Sequence, residues 1–192
     1  MYLHAQFVYE KVQRQKERLK RTYVDTFLVY TFTCNGRLPQ VDSCNCEESQ
    51  YLFWIQNGTT FFRRFDYCKD YNVITLDTIN PLTFYFLNRQ IIEKEKINKP
   101  TYFEVKRTIK GIDSLKKSIS VNHACFHQFN FDINNLTMEK EINIFDLDFI
   151  KFDNGKKNIY YKYNQNTMQK KLIDLTTNLI LQLNKNNKFV IQ

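Results

Sequence analysis

The sequence predicts an α+β fold: a mainly antiparallel, twisted sheet of about seven or eight strands, with N-terminal, central and C-terminal helices packed on it. Three observations carry this. The segment Lys117 to Ile133 alternates, with Ile119, Val121, His123, Cys125, His127, Phe129, Phe131 and Ile133 on one side and a mostly polar set on the other. Two Asn-Gly pairs, Asn57-Gly58 and Asn154-Gly155, sit between strand-like runs, which is the preferred chemistry of a two-residue hairpin turn. Three other segments repeat their apolar residues at helical spacing. At 192 residues the chain is long enough for one sizeable core, so 1–192 is read as a single domain.

A basic helix opens the chain within residues 1–22. From Ala5 to Arg21, Val8, Val12 and Leu19 form its stripe, and Lys11, Arg14, Lys16, Arg18, Lys20 and Arg21 surround it. The β-branched and aromatic run from Thr22 to Cys34 predicts a strand. A loop over 35–50 follows, unusually long and carrying Cys44, Cys46, Asp42, Glu47 and Glu48. Tyr51 to Gln56 and Thr59 to Phe65 then form the first hairpin, whose register sets Trp54 opposite Phe61 and Phe53 opposite Phe62. Aromatic residues on both faces assign it to the middle of a sheet or to a place between layers.

Asp70 to Asp77 continues as a strand. Asn80-Pro81 then reads as a helix cap with proline at the first helical position, starting a helix to about Ile97 with Phe84, Leu87 and Ile91 inward. Thr101 to Ile109 is a strand, Gly111 to Lys116 a turn, and Lys117 to Ile133 a strand of roughly 50 Å that requires a bulge or sharp bend. Glu141 to Phe152 and Lys157 to Tyr163 make the second hairpin, with Ile150 facing Ile159 and Phe149 facing Tyr160. A C-terminal helix over 164–185, capped by Asn166, presents Met168, Leu172, Leu175, Leu179 and Leu183. Phe189 to Ile191 adds a short edge strand.

Composition narrows function without naming it. Lys and Arg number 28 against 20 Asp and Glu, giving a net charge of +8 that favours anionic partners. Because Lys, Asn, Ile, Phe and Tyr are all abundant, AT-rich coding accounts for the same composition, and no nucleic-acid-binding module is visible. No apolar run reaches the ~18 residues of a membrane-spanning helix. Cys34, Cys44, Cys46 and Cys68 cluster around the loop, as two disulfides of a secreted or bacterial periplasmic domain would, with Cys125 a lone buried thiol. Five free thiols inside a cell is the competing reading. Zinc fits poorly, since the spacing Cys-x9-Cys-x-Cys-x21-Cys lacks a Cys-x2-Cys knuckle.

Two constellations suggest chemistry. His123, Cys125 and His127 stand at alternate positions of one strand, so His123 and His127 are candidate metal ligands, but core histidines among Val121 and Phe129 are the preferred explanation. Glu104-x-Lys106, with Asp77 upstream, superficially resembles the acids and lysine of a metal-dependent nuclease. The acids Glu139, Glu141, Asp146, Asp148 and Asp153 lack the spacing of a Ca²⁺ loop, and Asn57-Gly58-Thr59 and Asn135-Leu136-Thr137 match a glycosylation acceptor only formally. The leading expectation is an exported, non-enzymatic binding module without a cofactor, holding a protein or other macromolecule through Asp42, Glu47, Glu48 and Tyr51. Its rivals are a metal-dependent hydrolase or nuclease on His123/His127 or Glu104/Lys106, and a basic nucleic-acid-binding protein.

Overall fold

The computed structural model describes residues 2–35, 49–77, 79–108, 111–122 and 124–192. Among them are a helix α1 (Tyr2–Lys20), strands β1 (Thr26–Cys34), β2 (Gln50–Gln56), β3 (Thr59–Phe65) and β4 (Ile74–Leu76), and a helix α2 (Pro81–Lys94). Strands β5 (Thr101–Thr108), β6 (Gly111–Ser118), β7 (Cys125–Ile133) and β8 (Leu136–Asn143) follow, then helices α3 (Ile144–Asp148), α4 (Tyr161–Asn166) and α5 (Met168–Lys185). The fold is α+β and its strand pairs are antiparallel, but the eight strands form two sheets. One has six strands in the order β4-β3-β2-β1-β7-β8, and the other is the separate ribbon β5-β6.

The six-stranded sheet is buried on both faces at its centre. Phe27 and Val29 of β1, Leu52 and Trp54 of β2 and Phe65 pack under Val8 and Val12 of α1. The alternate residues Leu28 and Tyr30, with Phe53, Phe62, Phe129 and Phe131, meet Leu82, Tyr85 and Ile92 of α2 and Leu172, Ile173 and Ile180 of α5. Alternation along each strand therefore feeds two apolar layers, one per face. The first hairpin has the expected register, Trp54 opposite Phe61 and Phe53 opposite Phe62, and Asn57 and Gly58 take the positive φ values of 51° and 74° that its turn requires. Asn80 caps α2 as expected, accepting from the Leu82 and Thr83 amides, with Pro81 at the first turn.

Several elements depart from the sequence reading, each for a physical reason. Lys117 to Ile133 is not one strand: β6 ends at Ser118, and residues 119–124 carry the chain from the ribbon to the main sheet. The alternation stays in phase across this break, so periodicity is blind to the change of partner. Gly111 to Lys116, expected as a turn, is most of β6. The turn after β7 is Asn134-Asn135, both left-handed at φ 51° and 65°, a geometry that Asn tolerates much as Gly does. The strand expected over Glu141 to Phe152 is cut by α3, because the Asn143 side chain accepts from the Phe145 amide and starts a helix there. Around Asn154-Gly155 only the bridge Lys151–Lys157 forms, one step out of the expected register, and Tyr161 onward is α4.

Helix faces are also turned. In α2, Leu82, Tyr85 and Ile92 are buried, while Leu87 is 85% exposed and Ile91 47% exposed. The first half of α2 is apolar all round, so spacing alone does not choose the inward side; the ring of Tyr85, stacked on Phe131 at 3.7 Å, does. Helix α2 stops at Lys94 and not at Ile97, and Thr167 caps α5 in place of Asn166. The buried side of α5 centres on Leu172, Ile173, Thr176 and Ile180, a step round from the expected stripe. The strand expected over Asp70 to Asp77 shortens to β4, and Phe189 to Ile191 contributes the single bridge Tyr71–Ile191.

These positions separate in a stability measurement. Phe131→Ala removes a fully buried ring from between the sheet and α2 and should cost about 3–5 kcal/mol in urea unfolding. Leu87→Ala should change stability by less than about 0.5 kcal/mol, and the reverse order would mean that α2 presents its other face.

Candidate interaction surface

The ribbon β5-β6 exposes four large apolar side chains, Phe103, Val105, Ile112 and Leu115. Its register, Thr101 opposite Ser118 through Thr108 opposite Gly111, sorts its side chains into two faces. Phe103, Val105 and Arg107 share one face with Ile112, Ser114 and Lys116. On it Phe103 is 50%, Val105 62% and Ile112 71% exposed. The opposite face holds Tyr102, Glu104, Lys106, Asp113, Leu115 and Lys117, with Lys117 4.0 Å from Glu104. Basic side chains therefore flank an apolar trio that no described element covers.

The base of the ribbon is fixed. Asn158, buried, accepts from the amides of Thr101 at 3.1 Å and Tyr160 at 3.0 Å, and donates to the Phe149 carbonyl at 2.9 Å. The Ile159 amide donates to the Thr101 carbonyl, and the Ile119 amide to that of Pro100. Tyr102 meets Phe152 edge to face at 4.5 Å, Lys156 Nζ donates to the Phe103 carbonyl at 3.1 Å, and Lys116 Nζ donates to the Tyr160 hydroxyl at 2.8 Å. The far half, from Val105 to Arg107 and Ile112 to Ser114, is exposed throughout. A hairpin held at its root and bare at its far end presents side chains in a set geometry, which limits the conformational entropy lost on binding. Sequence reasoning missed this surface because it read β6 as a turn; the signal available was Ile112 and Leu115 within a stretch otherwise charged.

The residues singled out from the sequence lie elsewhere. Asp42, Glu47 and Glu48, with Cys44 and Cys46, fall outside the described residues, as does His123. Tyr51 is half-buried on the face covered by α2 and α5, stacked on Phe62 at 5.8 Å. Glu104 and Lys106 are on the ribbon, whereas Asp77 follows β4 of the main sheet. Among the described residues no three His, Cys, Asp or Glu side chains gather as a metal would need. No helix among them is long and apolar enough to cross a membrane.

Cys125 is not the lone thiol expected. It is bonded to Cys34, directly opposite it in the β1–β7 pair, so Cys34 is not paired within the loop cluster. Sequence distance misled here: the two cysteines are 91 residues apart, yet antiparallel pairing sets them side by side. Cys68 is half-buried beside Asp66, whose carboxylate accepts from the amides of Cys68 and Lys69. His127 is a core residue, its Nδ1 2.8 Å from the Tyr30 hydroxyl and its ring 5.2 Å from that of Phe32. Burial, reinforced by the charge of Lys170, pulls its pKa down to about 4. Burial likewise raises the Tyr30 phenol far above its usual range.

Two measurements follow. With Cys34–Cys125 intact, at most three of the five cysteines (five minus the bonded two) should react with a thiol reagent in non-reducing denaturant. All five should react after reduction, and five before it would remove the bond. His127 stays neutral in the fold and takes its proton near 6.5 when unfolded, so its burial carries no penalty above that pH. Stability is lost as pH falls from 6.5 toward 4. Between pH 7 and 5 the native protein should lose about 2 kcal/mol more than His127→Gln in urea titrations. Equal losses would show an imidazole that protonates freely in place. Comparison with family models, with curated proteins and with solved structures finds no match for this chain.

Proposed function

We propose that this protein is a non-enzymatic interaction module that captures an acidic protein partner on the β5-β6 ribbon. The carrying observation is the exposed trio Phe103, Val105 and Ile112, flanked by Arg107 and Lys116 on a hairpin pinned at its base. Apolar side chains surrounded by cations fit a partner whose own apolar anchors are bordered by carboxylates. The Cys34–Cys125 disulfide supports an oxidising compartment for the module. The +8 net charge would speed encounter with such a partner, and the apolar trio would hold it.

The test is capture from native extract on the immobilised protein, with a photo-crosslinking residue at Val105. Phe103→Ser/Ile112→Ser and, separately, Arg107→Glu/Lys116→Glu should each abolish crosslinking to one acidic protein without lowering the melting temperature. Capture through the charged rim should also fail at about 1 M salt, where the Debye length is about 3 Å. Crosslinks unchanged in both double variants, or formed only to nucleic acid, would overturn the reading.

A further inference from the structure

A second surface, away from the exposed apolar trio of the ribbon, has the features of a small-molecule site. A cleft of about 540 Å³ opens between the residues that follow α2, the β6–β7 connection, the end of β8, and α3. Its volume is within the usual range of ligand clefts, and it lies open to solvent along one side. Its wall is apolar at Val121, Phe126 and Ile142, and its charged groups fall into two sets.

The first set is already engaged. Glu95 Oε2 accepts from the amides of Met168 at 2.8 Å and Gln169 at 3.2 Å, filling the start of α5. Lys140 Nζ donates to the Glu93 carbonyl at 2.9 Å, and Glu141 Oε2 accepts from Gln128 at 2.9 Å. The second set is not. Asp146, half-buried, makes no side-chain hydrogen bond or ion pair among the described residues, although its backbone carbonyl is held by Asn164 at 2.8 Å. Burial pushes its carboxyl above the ordinary range, and the nearby charge of Lys99 only partly offsets this. Lys99 and Lys96 are both exposed at the cleft, and neither has an ion pair among the described residues. A half-buried carboxylate without a donor costs free energy that a ligand donor would recover.

We propose that this cleft binds a zwitterionic, amino-acid-like ligand up to dipeptide size, its ammonium on Asp146, its carboxylate on Lys99 and its apolar side chain against Phe126 and Ile142. A purely anionic ligand would meet Asp146 and the engaged carboxylates of Glu95 and Glu141. A purely cationic one would meet Lys99 and Lys96. Only a molecule carrying both charges satisfies Asp146 and a free lysine together, and the apolar wall selects a hydrophobic side chain over a polar one.

Isothermal titration of the full chain with L-leucine and with L-leucyl-L-leucine tests this. At least one should bind saturably, and its N-acetylated and C-amidated forms should each bind about tenfold more weakly or worse, since each removes one charged contact. Asp146→Asn and Lys99→Gln should weaken the same probe by a similar factor; Lys99 is exposed, so its variant keeps the fold if the Asp146 variant does not. No saturable binding of either probe up to about 10 mM, well beyond millimolar affinity, would overturn the proposal. So would equal binding of the blocked probes, or affinity unchanged in Lys99→Gln.

Discussion

The pairing of β1 with β7 is the constraint on which the rest of the structure depends. Nine residue pairs, from Thr26–Ile133 to Cys34–Cys125, join the four-stranded meander to the β7-β8 hairpin and make one sheet of six strands. Helix α1 seals one side of β1, β2 and β3, and α2 and α5 seal the other side across β1, β2, β3 and β7, so the second apolar layer runs across the joint. The contact closes a loop of some ninety residues, which is entropically expensive, and a disulfide between its last two partners holds that loop closed in the unfolded chain as well, so folding no longer bears most of the cost. Helix α2 and the ribbon both lie in the stretch of chain between these two strands.

Asparagine and glutamine side chains fix the connections that a chain with 4 Gly and 3 Pro does not build from those residues. Asn164, fully buried, accepts from the Asn98 amide and donates to the carbonyls of Asn98 and Asp146, joining the tail of α2 to α3 and α4. Gln169 donates to the carbonyls of Ile92 and Glu95, holding the end of α2 against α5. Asn158 does the same for the ribbon. Each such amide replaces a backbone ladder with two or three side-chain bonds, and each bond lost inside the protein leaves a group whose desolvation costs about 1–3 kcal/mol. The ribbon's direction and the width of the cleft are thus set by three amides, none of which has an apolar or catalytic signature in sequence.

What was legible in the sequence was local. The stripe of Val8 and Val12, the Asn57-Gly58 turn with its register, and the Asn80-Pro81 cap depend on neighbours a few residues away, and each stands as read. What was not legible depends on distant partners. Alternation from Lys117 to Ile133 could not show that its first residues pair with β5 and its last with β1, because both strands demand the same period of two. The cysteine clustering near residue 40 suggested local bridges, while the bond observed follows from sheet register. The orientation of α2 was hidden by an apolar surplus: Leu82, Phe84, Tyr85, Phe86 and Leu87 satisfy several stripes at once. The candidate surfaces were hidden for the same reason, since exposure is the absence of a partner and sequence records only the residue.

The net charge of +8 is likewise not spread evenly over the described surface. Helix α1 carries many of the basic residues, yet several of them point inward to work. Lys16 and Lys20 converge on the buried carboxylate of Asp132 at 3.1 and 3.4 Å, and Lys11 reaches Asp70 at 3.1 Å. Arg63 donates to the Tyr71 carbonyl and Gln15, and Arg64 lies 3.5 Å from Asp66. Charges neutralised in this way lock α1 and β3 onto the core and contribute little field outside it. Arg107 on the ribbon has no such internal acid among the described residues, and Lys116 spends its contact on a tyrosine hydroxyl, which leaves its charge uncompensated. A partner carrying carboxylates would therefore find unneutralised cations beside the exposed trio of Phe103, Val105 and Ile112, where desolvation by the apolar contact strengthens each ion pair that forms.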